Sequence, residues 1–95
     1  MEPLSEQKIQ EILSQELESW QYKDDKIHRN YKFDDFTEAM SFLVRIGFMA
    51  EKQMHHPEIF NVYNTVKISL STHDVGGKVT DKDLKLAKAI EKIYK

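Results

Sequence analysis

The sequence contains no cysteine, and this absence excludes both disulfide bonds and thiolate metal sites. Long apolar runs are also missing, since none approaches the roughly 18–20 residues that a membrane-spanning helix needs. The first six residues lack the basic and apolar regions of a signal peptide. The sequence therefore predicts a cytoplasmic protein that has no membrane partner.

A large net charge of either sign is absent as well. The chain carries 16 acidic and 14 basic residues, for a formal charge of -2, whereas proteins that bind a phosphate backbone usually present a basic face. No nucleic-acid partner is expected. The 95 residues, of which 40% are hydrophobic, predict a single domain over residues 1–95 with a modest core. A domain of this size buries a limited share of its surface, so oligomerisation is an expected supplement.

Apolar periodicity predicts the element order α-β-β-α-β-β-α. We expect helices over residues 5–15, from Asp34 or Asp35 to Pro57, and from Thr80 onward, the last opened by a capping box between Thr80 and Asp83. Strands are expected over residues 20–23, 27–33, 59–63 and 66–71. This pattern predicts an α+β fold, with one four-stranded antiparallel sheet and three helices packed on one face. Arg29 interrupts an apolar strand face, which predicts an edge position or a side chain that extends to solvent.

The middle helix is apolar around much of its circumference, which predicts that it is covered on more than one side. We expect the sheet to cover one side and a partner subunit the other. Gly47 lies inside this pattern at a cost of about 1 kcal/mol relative to alanine. A close approach by another backbone would explain it.

Three of the four histidines lie at the ends of two predicted elements. His55 and His56 precede Pro57 at the end of the middle helix, and His73 follows the fourth strand. Imidazole titrates close to neutral pH. Our hypothesis is that these ends meet in an acid–base site, where one group protonates a departing hydroxyl while another removes a proton from the neighbouring atom.

Two carboxylates are placed to orient these rings. Glu51 lies one helical turn before His55, so we expect it to orient that imidazole. Asp83 could orient His73, bind the substrate, or act only as a helix cap. Taken singly, Trp20 is expected in the core, and His28 is expected to be an exposed strand residue.

A zinc site is the main chemical alternative, because three imidazoles can hold the metal. Adjacent histidines at a helix end rarely aim at one point, and the sequence has no pair of histidines four residues apart on one helix. No metal is therefore predicted. A base-stacking RNA-binding sheet is a further alternative, but the basic surface and paired aromatic residues that it needs are not evident.

The spacing Glu51-x₃-His55-His56-Pro57-x₅-Tyr63-x₉-His73, followed by Asp83, resembles the motif of the pterin-4a-carbinolamine dehydratases. The flanking residues agree, including residues 60–64 after the histidines and the sequence Asp83-Leu84-x-Leu86-Ala87 in the last helix. The resemblance covers nearly the whole chain. The loop before the last helix varies in this family, so Asp81 stays an alternative to Asp83.

The resemblance implies a hydro-lyase that dehydrates 4a-hydroxytetrahydrobiopterin to a quinonoid dihydropterin and water, recycling the pterin used in aromatic amino acid hydroxylation. It implies that His55 and His73 are the general acids and that His56 binds the pterin and shares in proton transfer. Orienting or substrate-binding roles would fall to the residues Glu51, Asp83, Trp20 and Pro57. No metal or organic cofactor is implied, because the pterin is the substrate.

Family members form homodimers or homotetramers, and animal members also bind the dimerisation helix of a transcription factor. The resemblance therefore implies a second possible function, a protein-interaction module that uses the middle helix. Self-association explains the apolar middle helix equally well.

Overall fold

The computed structural model of the chain describes residues 2–94. Three helices flank two pairs of strands. In chain order the elements are α1 (Glu6–Glu16), β1 (Gln21–Lys23), β2 (Lys26–Lys32), α2 (Phe36–Gln53), β3 (Glu58–Val62), β4 (Thr65–Leu70) and α3 (Asp81–Tyr94). The strands form one antiparallel sheet in the order β1-β2-β4-β3. The predicted α+β fold and its element order are thus confirmed. Within the described residues, no helix is long and apolar enough to cross a membrane.

Local capping explains where the helices begin. Ser5 and Asp35 cap α1 and α2 by accepting hydrogen bonds from backbone N–H groups three residues later. At the start of α3, the Thr80 hydroxyl accepts from the backbone N–H of Lys82, and Asp83 Oδ2 accepts from the backbone N–H of Thr80. The Asp83 half of the predicted capping box is therefore present, with aspartate in the position that glutamate usually holds, while the Thr80 hydroxyl caps the second helical residue and not the third.

The core lies between one face of the sheet and the helices. Alternate residues of the two inner strands, β2 and β4, point inward, as their period of two requires, and the hydrophobic ones among them are buried. The α2 helix contributes residues spaced by three and four, as expected for one helical face. The buried hydrophobic residues of these three elements are Ile27, Tyr31, Val66, Ile68, Leu70, Ala39, Phe42, Ile46 and Ala50.

The opposite side of α2 carries a second apolar stripe that faces solvent. Phe36, Met40, Val44 and Phe48 recur every four residues and are 49%, 38%, 56% and 75% exposed. The prediction that this helix is apolar on two sides is confirmed. The explanation offered for Gly47 is wrong within the described chain, because a Cβ atom there would meet nothing within 4 Å.

A carboxylate on α3 fastens that helix to the sheet. Glu91 accepts hydrogen bonds from Trp20 Nε1, Arg29 Nη1 and the Tyr31 hydroxyl at 3.1, 2.5 and 2.5 Å. Arg29 also lies over the rings of Tyr31 and Tyr94. The expectation for Arg29 is therefore corrected. Arg29 lies on an inner strand, and its guanidinium forms an ion pair with the Glu91 carboxylate.

These contacts change the pKa values of the network. Desolvation raises the pKa of Glu91, but the hydrogen bonds from Tyr31, Arg29 and Trp20 outweigh it and hold the pKa below its ordinary value. Burial, reinforced by the hydrogen bond to Glu91, raises the pKa of Tyr31. The network thus favours a charged carboxylate beside a protonated phenol.

Candidate active site

The end of α2 is a turn that directs the following histidines. The helix ends at Gln53, and Met54 adopts the left-handed conformation with φ 53° and ψ 41°. The backbone N–H of Met54 donates to Glu51 O and that of His55 to Ala50 O, both at 3.1 Å, which is the Schellman pattern. The prediction that Pro57 ends the helix is therefore wrong by three residues.

The structure brings the three histidines together around one small pocket of about 230 Å³. His55 and His56 reach it from the turn after α2. His73 reaches it from a single 3₁₀ turn, His73–Val75, that follows β4. The remaining lining residues come from the same two segments and the start of α3, namely Met54, Ser71, Thr72, Asp74 and Lys82.

A fully buried carboxylate holds His55 in place. Asp83 is 0% exposed, and its Oδ1 lies 2.5 Å from His55 Nε2. Its Oδ2 accepts from the Thr72 hydroxyl at 2.9 Å and from the Thr80 backbone N–H at 2.8 Å. Because the Thr72 proton is used on Asp83, the Thr80 hydroxyl donates to Thr72 Oγ1 across 2.7 Å. Each partner therefore has a defined donor or acceptor role.

This arrangement fixes which nitrogen of His55 can react. Both Asp83 oxygens act as acceptors, so His55 Nε2–H donates to the carboxylate. Among residues 2–94, no buried side-chain nitrogen or oxygen lacks a hydrogen-bond partner. Nδ1 makes no hydrogen bond within this part of the chain, so it is the ring nitrogen that stays open to solvent, on a residue that lines the pocket. A neutral ring presents an acceptor there, and an imidazolium presents a donor.

The carboxylate partners differ from those expected. Glu51 Oε1 lies 2.7 Å from Nε2 of His56, not of His55, and both side chains are exposed. Asp83 pairs with His55 rather than with His73. Asp81, the alternative to Asp83, is exposed and lines a different concavity.

Two residues that the resemblance assigned to the site lie outside its lining. Trp20 is buried, donates to Glu91 and packs edge-on against Tyr31, on another part of the molecule. Pro57 follows His56 directly but does not line the pocket. The expectation that Trp20 shapes the histidine pocket is therefore corrected, since its indole is engaged in the Glu91 network.

Some participants were not anticipated from the sequence. Thr72 donates to Asp83 beside the predicted cap residue Thr80, and Lys82 adds a cation to the pocket lining. A threonine at a strand end has ordinary local roles, so no sequence signal marks Thr72. The expectation for His28 is also corrected: it is half-buried, and its Nδ1 lies 2.7 Å from Ser69 Oγ on the open face of the sheet.

The histidine pocket is not the largest concavity. A groove of about 870 Å³, lined by α3 with contributions from α1 and α2, lies elsewhere and contains no histidine. The smaller pocket is the better candidate for chemistry, because it alone of the two gathers side chains that can give and take protons near neutral pH. Among the described residues, no three histidine or carboxylate side chains converge closely enough to hold a metal ion.

Comparison with known proteins agrees with the motif. The family model described as "Pterin 4 alpha carbinolamine dehydratase" matches residues 2–93. A relative from Opitutus terrae, named "Putative pterin-4-alpha-carbinolamine dehydratase", is 50% identical over 90 residues, which cover 95% of this chain and 92% of the relative. A relative of the same name from Christiangramia forsetii is 50% identical over 93 residues, covering 98% and 94%.

A solved structure extends the likeness to three dimensions. The transcriptional coactivator/pterin dehydratase from Brucella melitensis superposes with a TM-score of 0.92 at 38% sequence identity, covering 99% of this chain and 100% of that one. With the match of the family model over residues 2–93, this establishes that the chain belongs to the pterin 4 alpha carbinolamine dehydratase family.

Proposed function

We propose that the chain is a hydro-lyase that converts 4a-hydroxytetrahydropterins, including 4a-hydroxytetrahydrobiopterin, into quinonoid dihydropterin and water. This reaction would return the pterin to the cycle that serves aromatic amino acid hydroxylases. The observation that carries the proposal is the convergence of His55, His56 and His73 around one pocket, with the buried Asp83 behind the first of them. Family membership supplies the substrate class.

In the proposed elimination the substrate accepts one proton and gives up another. An imidazolium donates to the 4a-hydroxyl, the C4a–O bond breaks with its electron pair leaving on oxygen, and water departs. A base removes the proton of the adjacent ring nitrogen, whose electrons form the new C=N bond. We assign the donation to His55 and His73, and pterin binding with a share in proton transfer to His56. Each positioned acid or base is typically worth about 10²–10⁴ in rate.

The supporting carboxylates have separate roles in this scheme. Asp83 holds the His55 ring so that Nδ1 is the atom that donates. Glu51 orients His56 through its contact with Nε2, leaving Nδ1 of that ring for the substrate. Since the Glu51–His56 pair is exposed and the Asp83–His55 pair is buried, loss of Asp83 should impair catalysis more than loss of Glu51.

The direct test is the breakdown of freshly generated 4a-hydroxytetrahydrobiopterin, followed by absorbance with and without the protein. His55→Ala and His73→Ala should each lower the rate by about 10²–10⁴. His28→Ala is the matched control, because it removes an imidazole that lies outside the pocket. A parental rate in both pocket variants would overturn the assignment of the acids.

A second candidate function is protein interaction through α2. The exposed stripe of Phe36, Met40, Val44 and Phe48 favours it, since an apolar helix face of this kind can enter a mixed helical bundle. The Brucella melitensis relative is titled a transcriptional coactivator as well as a pterin dehydratase. We propose that the same stripe mediates self-association into a homodimer or homotetramer, and that a helix of a transcription factor could compete for it.

A further inference from the structure

The groove of about 870 Å³ is built mainly from one face of α3. The α3 residues that line it recur at steps of three and four along thirteen residues, from Asp81 to Ile93. Ile12 of α1 and the residues Met49, Lys52 and Gln53 of α2 complete the walls. The groove shares no lining residue with the histidine pocket and does not include the exposed stripe of α2.

The rim of the groove is basic although the chain as a whole is acidic, with a net charge of -2. Lys52, Lys85, Lys88 and Lys92 line it, against the single carboxylate of Asp81. Lys88 pairs with Glu16 of α1 at 2.8 Å. Within residues 2–94, no carboxylate oxygen lies within 4.0 Å of the other three ammonium groups. A local positive field therefore remains for an anionic partner.

The floor of the groove is apolar. Leu84 is buried, and Ile12, Met49, Ala89 and Ile93 are half-buried, so apolar surface lies open between the lysines. An apolar floor with a basic rim is complementary to an apolar stripe flanked by carboxylates. Amphipathic helices present that pattern and bind in grooves of this kind.

The spacing of the charges also fits a helix. Lys85, Lys88 and Lys92 follow one another at steps of four or three, the same steps at which a facing helix can present carboxylates. The contact between Glu16 and Lys88 is already an example of a helix carboxylate on this rim. The lining segment of α3 spans roughly 18 Å at 1.5 Å per residue, which corresponds to about three helical turns.

We propose that this groove, formed by α1, α2 and α3, docks an acidic amphipathic helix of a partner protein. The partner helix lies along α3, places its apolar residues on Leu84 and Ala89, and directs its carboxylates at Lys52, Lys85 and Lys92. Because the histidine pocket is separate, docking leaves pterin dehydration unchanged.

The test uses a stapled peptide of about three to four helical turns, with leucines on one stripe and glutamates on both flanks. Binding is measured by fluorescence anisotropy and mapped by amide chemical shifts of the ¹⁵N-labelled full chain. Saturable binding is expected, with the largest shifts at residues 84–93. The double variant K85E/K92E should weaken it about tenfold or more and keep the parental circular dichroism.

Matched controls separate this site from general charge attraction. K32E/K67E makes the same charge change on exposed lysines outside the groove and should leave peptide affinity unchanged. A peptide with lysine in place of glutamate, and a proline-interrupted acidic peptide, should both bind at least about tenfold more weakly.

Three results would overturn the proposal. The first is an acidic peptide that binds no more tightly than the proline-interrupted one. The second is a set of chemical shift changes that map outside the groove. The third is a loss of peptide affinity in K32E/K67E as large as that in K85E/K92E. Decanoate and phosphatidylglycerol vesicles are run in parallel. If either shifts residues 84–93 while the peptide does not, the groove takes a small amphiphile or a lipid surface instead.

Discussion

His55 Nε2 and Asp83 Oδ1 lie 2.5 Å apart, joining the turn after α2 to the first turn of α3. Both oxygens of the carboxylate are occupied, Oδ1 by the imidazole and Oδ2 by Thr72 and Thr80. The pair therefore acts on two levels. It connects two residues that are 28 positions apart in sequence, and it fixes the ring of His55, which lines the pocket.

Replacing Asp83 by asparagine should separate these two roles. The amide keeps an oxygen acceptor for Thr72 and Thr80 but turns an N–H donor toward His55, which forces the imidazole proton onto Nδ1. We expect the dehydration rate to fall by about 10²–10⁴ with the far-ultraviolet circular dichroism preserved. Imidazole ¹⁵N shifts should report the change of tautomer.

Asp81→Asn is the control for that experiment. Asp81 is exposed, also belongs to the first turn of α3, and lines the groove that contains no histidine, whereas the site histidines pair with Asp83 and Glu51. Its variant should keep the parental rate and the parental imidazole shifts. A larger loss in D81N than in D83N would mean that the wrong aspartate has been assigned.

Glu91→Gln should make the fold less stable and less sensitive to acid. A carboxyl whose pKa is lower in the folded chain than in the unfolded chain stabilises the fold above its unfolded pKa, and this stabilisation is lost as the pH falls through the folded value. Loss of the charged acceptor for Trp20, Arg29 and Tyr31 should cost about 2 kcal/mol near neutral pH.

Urea unfolding at several pH values between about 7 and 3 measures both effects. The free energy of unfolding of the parent should fall toward low pH, and that of E91Q should fall less. The difference in unfolding free energy between the two proteins should therefore become smaller. Glu18→Gln, an exposed residue, is the control and should follow the parent. A constant difference across this range would show that the charge of Glu91 does not contribute.

Val44→Lys should disrupt self-association if the exposed stripe of α2 is the interface. Placing an ammonium group in an apolar contact costs desolvation energy, and we expect the association constant to fall at least about tenfold. Sedimentation velocity across a range of concentrations is the measurement. Val62→Lys on β3 is a close match, since the two valines are 56% and 58% exposed. Dissociation by V62K but not by V44K would place the interface at the sheet edge.

Chelation should leave the dehydration rate unchanged. The proposed chemistry uses imidazole protons alone, and the described part of the chain gathers no three histidine or carboxylate side chains into a metal site. Activity is compared before and after dialysis against EDTA, with readdition of zinc as the control. Activity that is lost with EDTA and restored by zinc would replace acid–base catalysis by metal-assisted catalysis.

Periodicity and capping signals predicted the element order because both are local. The alternation of β4 and the Thr80–Asp83 box are read within a few residues, and the structure contains both. The end of α2 was missed because the left-handed position is held by Met54, where glycine is the usual signal. Without that signal, Pro57 was the nearest visible helix breaker.

Which residues belong to the site was easier to predict than which carboxylate contacts which histidine. One-turn spacing put Glu51 with His55, but the Schellman turn breaks the helical phase between them and brings His56 to the carboxylate instead. The contact of Asp83 with His55 depends on how α3 packs beside the end of α2, which no local pattern encodes. Trp20 was assigned by resemblance alone, and its indole serves the Glu91 network.

The measurement that bears most directly on the shared pocket is a double-mutant cycle on the dehydration rate, with His55→Ala, His73→Ala and the combined variant. If both imidazoles act on one substrate, each single variant loses about 10²–10⁴ in rate, and the combined variant loses far less than the product of the two losses. Parental rates in the single variants, or losses that multiply as for independent sites, would contradict the account.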